Sequence, residues 1–297
     1  MINAIGQSWD RFWFSNRAAS CTNLTRCSLC WVVAIWFLSF LPTANDWFGE
    51  TGILSPDLSA QFVAFEETPR WQLWSPLWWG TSSIFVQFWI IAGVALGVLA
   101  GVGVGGRVTL AILWLWSLAW IHRIGWLSGA VEPAIAASLG YLIIAPGTVL
   151  RNAHPATSRT AGWDWLPNLV LRLIQVHVWL LLAAGVLSQL GGLVWWRGEA
   201  VWWLAANGQS QLLNIDMFRD RAWLVNVLTH GTIAIQLLTL WLLTIPIART
   251  LGIACGLLSC FSIGLLADQT LYAAFLAAGL TAYLPWATLQ ESTAEAE

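Results

Sequence analysis

The side chains of this sequence that could take part in catalysis or binding are ionisable groups inside or beside long apolar stretches. Such groups are costly in hydrocarbon, so each is by default a hypothesis about function. A histidine can take a proton near neutral pH, and a carboxylate nearby can orient it. The sequence leaves the catalytic residues unknown, and the candidates are His122, Glu132 and His230.

A wider set of polar and aromatic side chains could bind a ligand. Amides and imidazoles supply hydrogen bonds, and tryptophan supplies an amphipathic ring that prefers the lipid headgroup level. The expected ligand-binding residues are His122, Arg123, Glu132, Gln189, Trp195, Trp196, Asn226, His230 and Gln236. We expect four of them to line one cavity, namely His122, Glu132, Gln189 and His230.

These residues also have structural alternatives. Arg123 could extend to the headgroups, as long charged side chains near span ends commonly do. His230 could bridge two helices through a hydrogen bond. No metal site is expected, because the four histidines include no close pair of the HxxxH kind.

The composition places the elements that carry these residues in a bilayer. The 297 residues are 58% hydrophobic and only 9% charged. A soluble surface needs about 25% charged residues, so this chain has too few to cover itself in water. The formal net charge of −2 excludes nucleic-acid binding through a basic stripe.

Eight apolar stretches are candidate membrane spans, since a crossing helix needs roughly 17 to 25 residues. Within a bilayer such stretches form helices, because every backbone polar group must bond inside its own segment. The stretches are approximately 27–43, 82–105, 107–122, 131–149, 168–191, 223–245, 247–266 and 269–287. The sequence thus predicts an all-α, polytopic transmembrane bundle of about eight spans, within a range of six to eight.

The arginines predict the orientation. With eight spans both termini lie on one side, and that side would hold eight of the 13 basic residues, all of which are arginine. The positive-inside rule therefore favours cytoplasmic termini. Long tryptophan-rich loops, 44–81 and 192–222, would lie in the opposite interface.

The predicted organisation has three parts. A cytoplasmic amphipathic segment (1–26) precedes the transmembrane domain (27–287), and a short acidic tail (288–297) follows it. Within the second span, Gly93, Gly97 and Gly101 recur on one helical face. Such a stripe favours close packing of a neighbouring helix, and backbone approach to a lipid is the alternative.

Several motifs resemble a known membrane family. The most specific is Leu-x-Gly-x-x-Trp-Trp-x-Gly-x-Ala-x-Trp at Leu190–Trp202; others are the lone Arg26 and the Asp-aromatic stretch from Asp46 to Pro56. Another is His122-Arg123 before a glycine-containing acidic turn. Over about residues 20–290 the chain resembles the HTTM family, the membrane domain shared by vitamin K-dependent gamma-carboxylases and many bacterial proteins. The resemblance implies residence in a bacterial inner membrane.

The chain departs from that family at the residue that matters most for catalysis. In the carboxylases a lysine of the segment around Gln189 is regarded as the base that deprotonates the hydroquinone. An amide cannot accept that proton near neutral pH, and the sequence contains no lysine at all. Gln236 and Ser262 also stand where the family commonly has Glu and His. We therefore expect the carboxylase chemistry to be absent.

Three functions follow as hypotheses. The favoured one is a non-carboxylating membrane protein of HTTM type that binds a lipid or quinone-like ligand or serves as a subunit of a membrane complex. It requires no cofactor, and its expected partners are membrane lipids and other membrane subunits. The alternative is an enzyme of the carboxylase and epoxidase class that uses a histidine base. A transporter ranks last, because no internal repeat is evident.

Overall fold

The computed structural model describes residues 2–15, 19–50, 52–55, 58, 61, 75–78, 80, 82–144, 165–206, 216 and 218–284. Within these ranges the protein is all-helical and contains no strand, which confirms the predicted fold class. The predicted acidic tail, 288–297, and most of the loop 44–81 lie outside the described residues.

The helices follow the predicted apolar stretches closely. The first half of the chain has α1 (Ile2–Phe14), α2 (Ala19–Phe40), α3 (Ala44–Phe48), α4 (Ser83–Val102), α5 (Gly106–Ile124) and α6 (Val131–Ile144). The second half has α7 (Leu166–Gly191), α8 (Leu193–Trp196), α9 (Ala200–Ala206), α10 (Ala222–Thr244), α11 (Arg249–Leu266) and α12 (Thr270–Leu280). Every one of the eight predicted stretches contains a helix.

Among the described residues, five helical segments are long and apolar enough to cross a membrane. They are Thr22–Phe48, Ser83–Val102, Leu166–Gly191, Ala222–Thr244 and Pro246–Leu266. Two further apolar helices are shorter, Val131–Ile144 and Thr270–Tyr283. These helices fit an integral membrane protein, and the total of eight crossings and the cytoplasmic termini stay predictions.

Side-chain burial supports the membrane placement. The outward-facing large side chains of the long helices are apolar, including Ile84, Phe88, Leu180, Trp241 and Phe261. The buried set, in contrast, includes polar and charged side chains: Thr25, Arg26, Arg123, Glu132, Arg172, Gln175, Gln236 and Ser259. Apolar groups outside and polar groups inside suit a hydrocarbon solvent, in which exposed polar groups are the costly ones.

Short turns join neighbouring helices. The hydroxyl of Ser82 caps the start of α4 by accepting a hydrogen bond from the Phe85 N–H at 3.3 Å. Gly103, with φ +90°, ends α4 in the left-handed conformation, and Gly105, with φ +74°, leads into α5. Glycine adopts these angles without a Cβ clash, so the turn can be this short.

The chain divides into two compact units. The first unit is Phe14–Val170, and the second unit comprises Met1–Trp13 together with Leu171–Glu297. In the first unit the predicted glycine stripe packs against α2. A Cβ added at Gly93 would lie 2.7 Å from the Phe37 ring, and one at Gly97 would lie 3.0 Å from the Ala34 Cβ. A helix, and not a lipid, therefore occupies this face.

In the second unit α10 and α11 form an antiparallel hairpin around two further glycines. A Cβ added at Gly252 would lie 3.0 Å from the Leu243 nitrogen, and one at Gly256 would lie 3.2 Å from Thr239 Cγ2. The two helices thus approach closely, and residue numbers rise along α11 as they fall along α10. This register fixes which polar side chains of the two helices lie opposite one another.

Candidate functional site

Glu132 is buried at the start of α6, and its carboxylate is engaged on both oxygens. Oε1 accepts a hydrogen bond from the Trp36 indole N–H at 3.1 Å. Oε2 accepts one from the Gly129 backbone N–H at 2.6 Å, in the manner of a glutamate that caps its own helix start. Because α2 and α6 are joined through this side chain, Glu132 has a clear structural role.

Aromatic rings surround this anchor and lead from it to Arg123. The Trp36 centroid lies 5.6 Å from that of Phe40, which lies 5.4 Å from that of Trp120. Trp120 in turn lies 5.0 Å from Phe48. Edge-on contacts of this kind are favourable beyond the area they bury. The rings therefore form a rigid, dry core between α2, α3 and α5.

Arg123 lies against this aromatic core. Its guanidinium carbon lies 5.7 Å from the Phe48 ring centroid, and its Nη2 donates a hydrogen bond to the Leu54 carbonyl oxygen. The side chain is buried within the first unit, and its position relative to the lipid headgroups stays a prediction. The preceding residue, His122, is half-buried.

In the second unit two of the expected ligand-binding residues meet at a glycine. Gly198, with φ +73°, lies between α8 and α9, and a Cβ there would lie 2.1 Å from Asn226 Nδ2 and 2.9 Å from His230 Cε1. Both side chains come from the first turns of α10 and are solvent-exposed. Only a glycine permits such close approach of the amide and the imidazole to the backbone.

The hydrogen bond of His230 determines what its ring can do. Its Nδ1 lies 3.0 Å from the backbone oxygen of Asn226. A carbonyl oxygen can only accept, so Nδ1 must carry the hydrogen in the neutral ring. Nε2 is then the acceptor, and it can receive a hydrogen bond or a proton from a ligand.

The tryptophan pair and Gln189 lie beside the same turn. Trp196 is 63% exposed, and its indole N–H donates to the Leu190 carbonyl at 2.7 Å. A Cβ added at Gly192 would contact both Trp195 Cδ1 and the Gln189 backbone oxygen, at 3.1 and 3.5 Å. The Gln189 side-chain oxygen is buried and has no hydrogen-bond partner in the described part of the chain. An acceptor is thus left open there.

A hydrogen bond from the backbone to a side chain attaches the segment after this turn to α10. The Val201 N–H at the start of α9 donates to Thr229 Oγ1 at 3.2 Å. Beneath it Val201, Ala205, Phe218, Val225 and Leu266 form an apolar cluster. The motif Leu190–Trp202, the most specific in the sequence, therefore folds as two short helices that return to α10.

Gln236 lies deeper, six residues beyond His230 and thus about 9 Å further along α10. It is 2% exposed, and neither of its amide heavy atoms has a hydrogen-bond partner among the described residues. Continuing the register of Gly252 with Leu243 and Gly256 with Thr239 places Ser259 opposite Gln236. The Ser259 hydroxyl is also buried and unpartnered in that part of the chain.

A polar cluster that the sequence reasoning missed lies at the other end of the second unit. Arg172 Nη1 donates to Gln175 Oε1 at 2.8 Å, and Gln175 Nε2 donates to the Ala282 carbonyl at 2.6 Å. The Tyr283 hydroxyl donates to the Gln175 backbone oxygen at 2.7 Å. The i,i+3 spacing of Arg172 and Gln175 is the signal that could have paired them.

The expected ligand-binding residues divide between the two units. His122, Arg123 and Glu132 belong to the first, and Gln189, Trp195, Trp196, Asn226, His230 and Gln236 belong to the second. One cavity shared by His122, Glu132, Gln189 and His230 stays a prediction. Within the described residues, no three of the His, Cys, Asp and Glu side chains come together as a metal site would require.

Comparison with protein-family models, with curated proteins and with solved structures finds no match for this chain. The resemblance to the HTTM family stays an expectation that rests on the residues of the sequence.

Proposed function

We propose that this multi-pass membrane protein binds an amphiphilic molecule, a lipid or a quinone, at the turn around Gly198. The proposal depends on one observation above all, the pair Asn226 and His230 that is held against the Gly198 backbone with the imidazole tautomer set. The amide of Asn226 can donate and accept, and His230 Nε2 can accept. This combination suits a ligand that carries hydroxyl and carbonyl oxygens on a ring.

The surroundings suit the rest of such a molecule. Trp196, Trp203 and Trp223 are each at least 60% exposed around this turn, and their rings offer amphipathic contact area. Tryptophans are enriched where a protein meets the headgroups, which supports a position of Asn226 and His230 within reach of a lipid or quinone head. The buried side-chain oxygen of Gln189, which has no partner among the described residues, is a further acceptor at the end of α7.

The proposed function does not include vitamin K-dependent carboxylation. The chain has no lysine, and Gln189 cannot serve as a base. A catalytic function has one observation in its favour, which is the same His230 Nε2, because a neutral imidazole acceptor can take a proton from a bound hydroquinone. The second candidate function is therefore an oxidising membrane enzyme with His230 as base.

Lipid mass spectrometry on protein purified in mild detergent tests the binding function. We expect a stoichiometric lipid or quinone on the wild type, and its loss in His230→Ala and Asn226→Ala. The matched control is Gln269→Ala, an exposed amide of the same unit, which should retain the ligand. Equal occupancy in all four proteins would refute the site.

Turnover of a supplied quinol separates the two candidate functions. Purified protein is incubated with reduced vitamin K, oxygen and bicarbonate, and the epoxide is measured. The binding function expects no epoxide above the detergent blank. Epoxide that forms with the wild type and disappears in His230→Ala would establish the enzyme instead.

A further inference from the structure

The N-terminal helix α1 lies outside the proposed ligand site, and it combines an exposed tryptophan, Trp9, with an attachment to Arg172 of α7. We propose that α1 lies on the surface of the membrane, with the exposed Trp9 in the lipid, and that Arg172 clamps it to α7 through Phe12. The partner is the bilayer itself. This proposal depends on the membrane placement of α7 and not on the ligand site.

Arg172 holds the C-terminal end of α1 through two contacts. Its Nε donates a hydrogen bond to the Phe12 carbonyl oxygen at 3.2 Å, and its guanidinium carbon lies 4.2 Å from the Phe12 ring centroid. The guanidinium is buried and is also fixed by Gln175. A cation over an aromatic face adds to the charge-assisted hydrogen bond, so the two contacts make a specific attachment.

The clamp sets the depth of α1. Arg172 is the seventh residue of the 26-residue helix α7, so it lies about 9 Å from the helix start. That position is close to one surface of the membrane that α7 is long enough to cross. The 13 residues of α1 measure about 20 Å, too short for the roughly 30 Å of a hydrocarbon core. We infer that α1 lies along the surface and does not cross.

The faces of α1 indicate what covers it. Trp9, Phe12 and Trp13 share one face at positions i, i+3 and i+4, with the Trp9 and Trp13 centroids 5.7 Å apart. Trp9 is 62% exposed, although it is among the most costly side chains to leave in water. On the helix wheel Gln7 and Asp10 take the other face. This division is typical of a helix that lies in a membrane interface.

Apolar side chains are also exposed on α7, the helix that holds α1. On α7, Val176 and Leu180 lie one and two turns beyond Arg172 and are 38% and 55% exposed. Asp10 and Arg11 cancel each other in charge, so α1 has no strong preference for anionic lipid through its side chains. Insertion of the tryptophan face, not electrostatic attraction, therefore holds α1, and a zwitterionic bilayer should suffice.

Photo-crosslinking tests the contact with lipid. The full chain carries benzoylphenylalanine in place of Trp9, or in place of Gln7 as the control, in nanodiscs of phosphatidylcholine. We expect lipid adducts by intact-protein mass spectrometry at position 9, in at least about fivefold excess over position 7. Crosslinked dimers from position 9 would mean that a second copy covers Trp9, absent adducts would mean that water does, and equal adducts at both positions would mean that lipid does not distinguish the two faces; each result overturns the proposal.

Hydrogen exchange tests the clamp separately. In Arg172→Gln we expect the amides of residues 2–14 to exchange about tenfold faster in nanodiscs, because a charge-assisted hydrogen bond is lost. Arg11→Gln, on an exposed side chain of α1, should leave their exchange unchanged. Should Arg172→Gln fail to fold, Phe12→Ala removes the ring contact alone and should give a smaller increase. Unchanged exchange in a folded variant would refute the clamp.

Discussion

Glu132 of the first unit and Gln236 of the second are buried to a similar extent, 5% and 2% exposed, yet their surroundings differ completely. Both oxygens of Glu132 accept hydrogen bonds, from Trp36 and from Gly129. Neither amide atom of Gln236 has a partner in the described part of the chain. Buried polar side chains therefore play two different parts in this molecule. Glu132 joins two helices of the first unit through hydrogen bonds, whereas Gln236 of the second unit forms none with the described residues.

The comparison shows why a buried polar residue is not by itself a functional site. A satisfied hydrogen bond contributes about 1 kcal/mol net, whereas a buried group without a partner costs about 1 to 3 kcal/mol. The burial of Glu132 is accounted for by its structural role, because it joins α2 to α6. Gln175 extends the comparison, because it is the same residue type as Gln236 in the same unit, with both ends of its amide engaged.

The largest effect is expected for Glu132→Ala. The change removes two charge-assisted hydrogen bonds and leaves the buried Trp36 N–H without its acceptor, while the Gly129 N–H at the helix start loses its acceptor too. We expect a loss of about 3 kcal/mol in the free energy of unfolding, measured by denaturant titration in detergent micelles. Glu50→Ala, at an exposed carboxylate of the same unit, is the control and should change stability little. A loss below about 1 kcal/mol would show that the hydrogen bonds of Glu132 do not stabilise the contact between α2 and α6.

Gln175→Leu should have an intermediate effect. Leucine has a similar volume but leaves Arg172 without one acceptor and the Ala282 carbonyl without its donor. We expect a loss of about 2 kcal/mol in the same unfolding measurement. The variant should also loosen the attachment of α1, because Gln175 fixes the guanidinium that holds Phe12. Wild-type stability in Gln175→Leu would contradict the cluster.

Gln236→Leu should act in the opposite direction. It replaces an unmatched amide with an apolar side chain of similar size, so we expect a gain of about 1 kcal/mol in the free energy of unfolding. Ser259→Ala, which removes the hydroxyl opposite it, should change stability by less. A loss of 1 kcal/mol or more on Gln236→Leu would show that the amide is hydrogen-bonded in the membrane, and the contrast with Gln175 would disappear.

Much of the fold could be predicted from hydropathy alone. The expected span 168–191 is the helix Leu166–Gly191, and the expected span 223–245 is Ala222–Thr244. The stripe of glycines at Gly93 and Gly97 also predicted that a neighbouring helix packs closely there, and α2 does so. Local patterns were sufficient there, because a helix in hydrocarbon must satisfy its backbone within its own segment.

The roles of the polar residues could not be predicted in the same way. Glu132 was a candidate catalytic residue in the sequence, expected to orient a histidine base, and its hydrogen bond with Trp36 depends on a residue 96 positions earlier. The importance of Arg172 and Gln175 was missed, because their partners Phe12 and Ala282 lie 160 and 107 positions away. A hydrogen bond requires its two atoms within about 3 Å, and sequence spacing says nothing of that distance across helices.

The sequence by itself determined that this chain is helical, apolar on its outer faces and unable to use a lysine, since composition and periodicity decide those properties. Only the tertiary structure decided that both carboxylate oxygens of Glu132 accept hydrogen bonds, that His230 and Asn226 meet at Gly198, and that Gln236 has no partner among the described residues. The physical reason is that hydropathy acts along each segment, whereas hydrogen bonds between side chains form only where packing brings distant segments together.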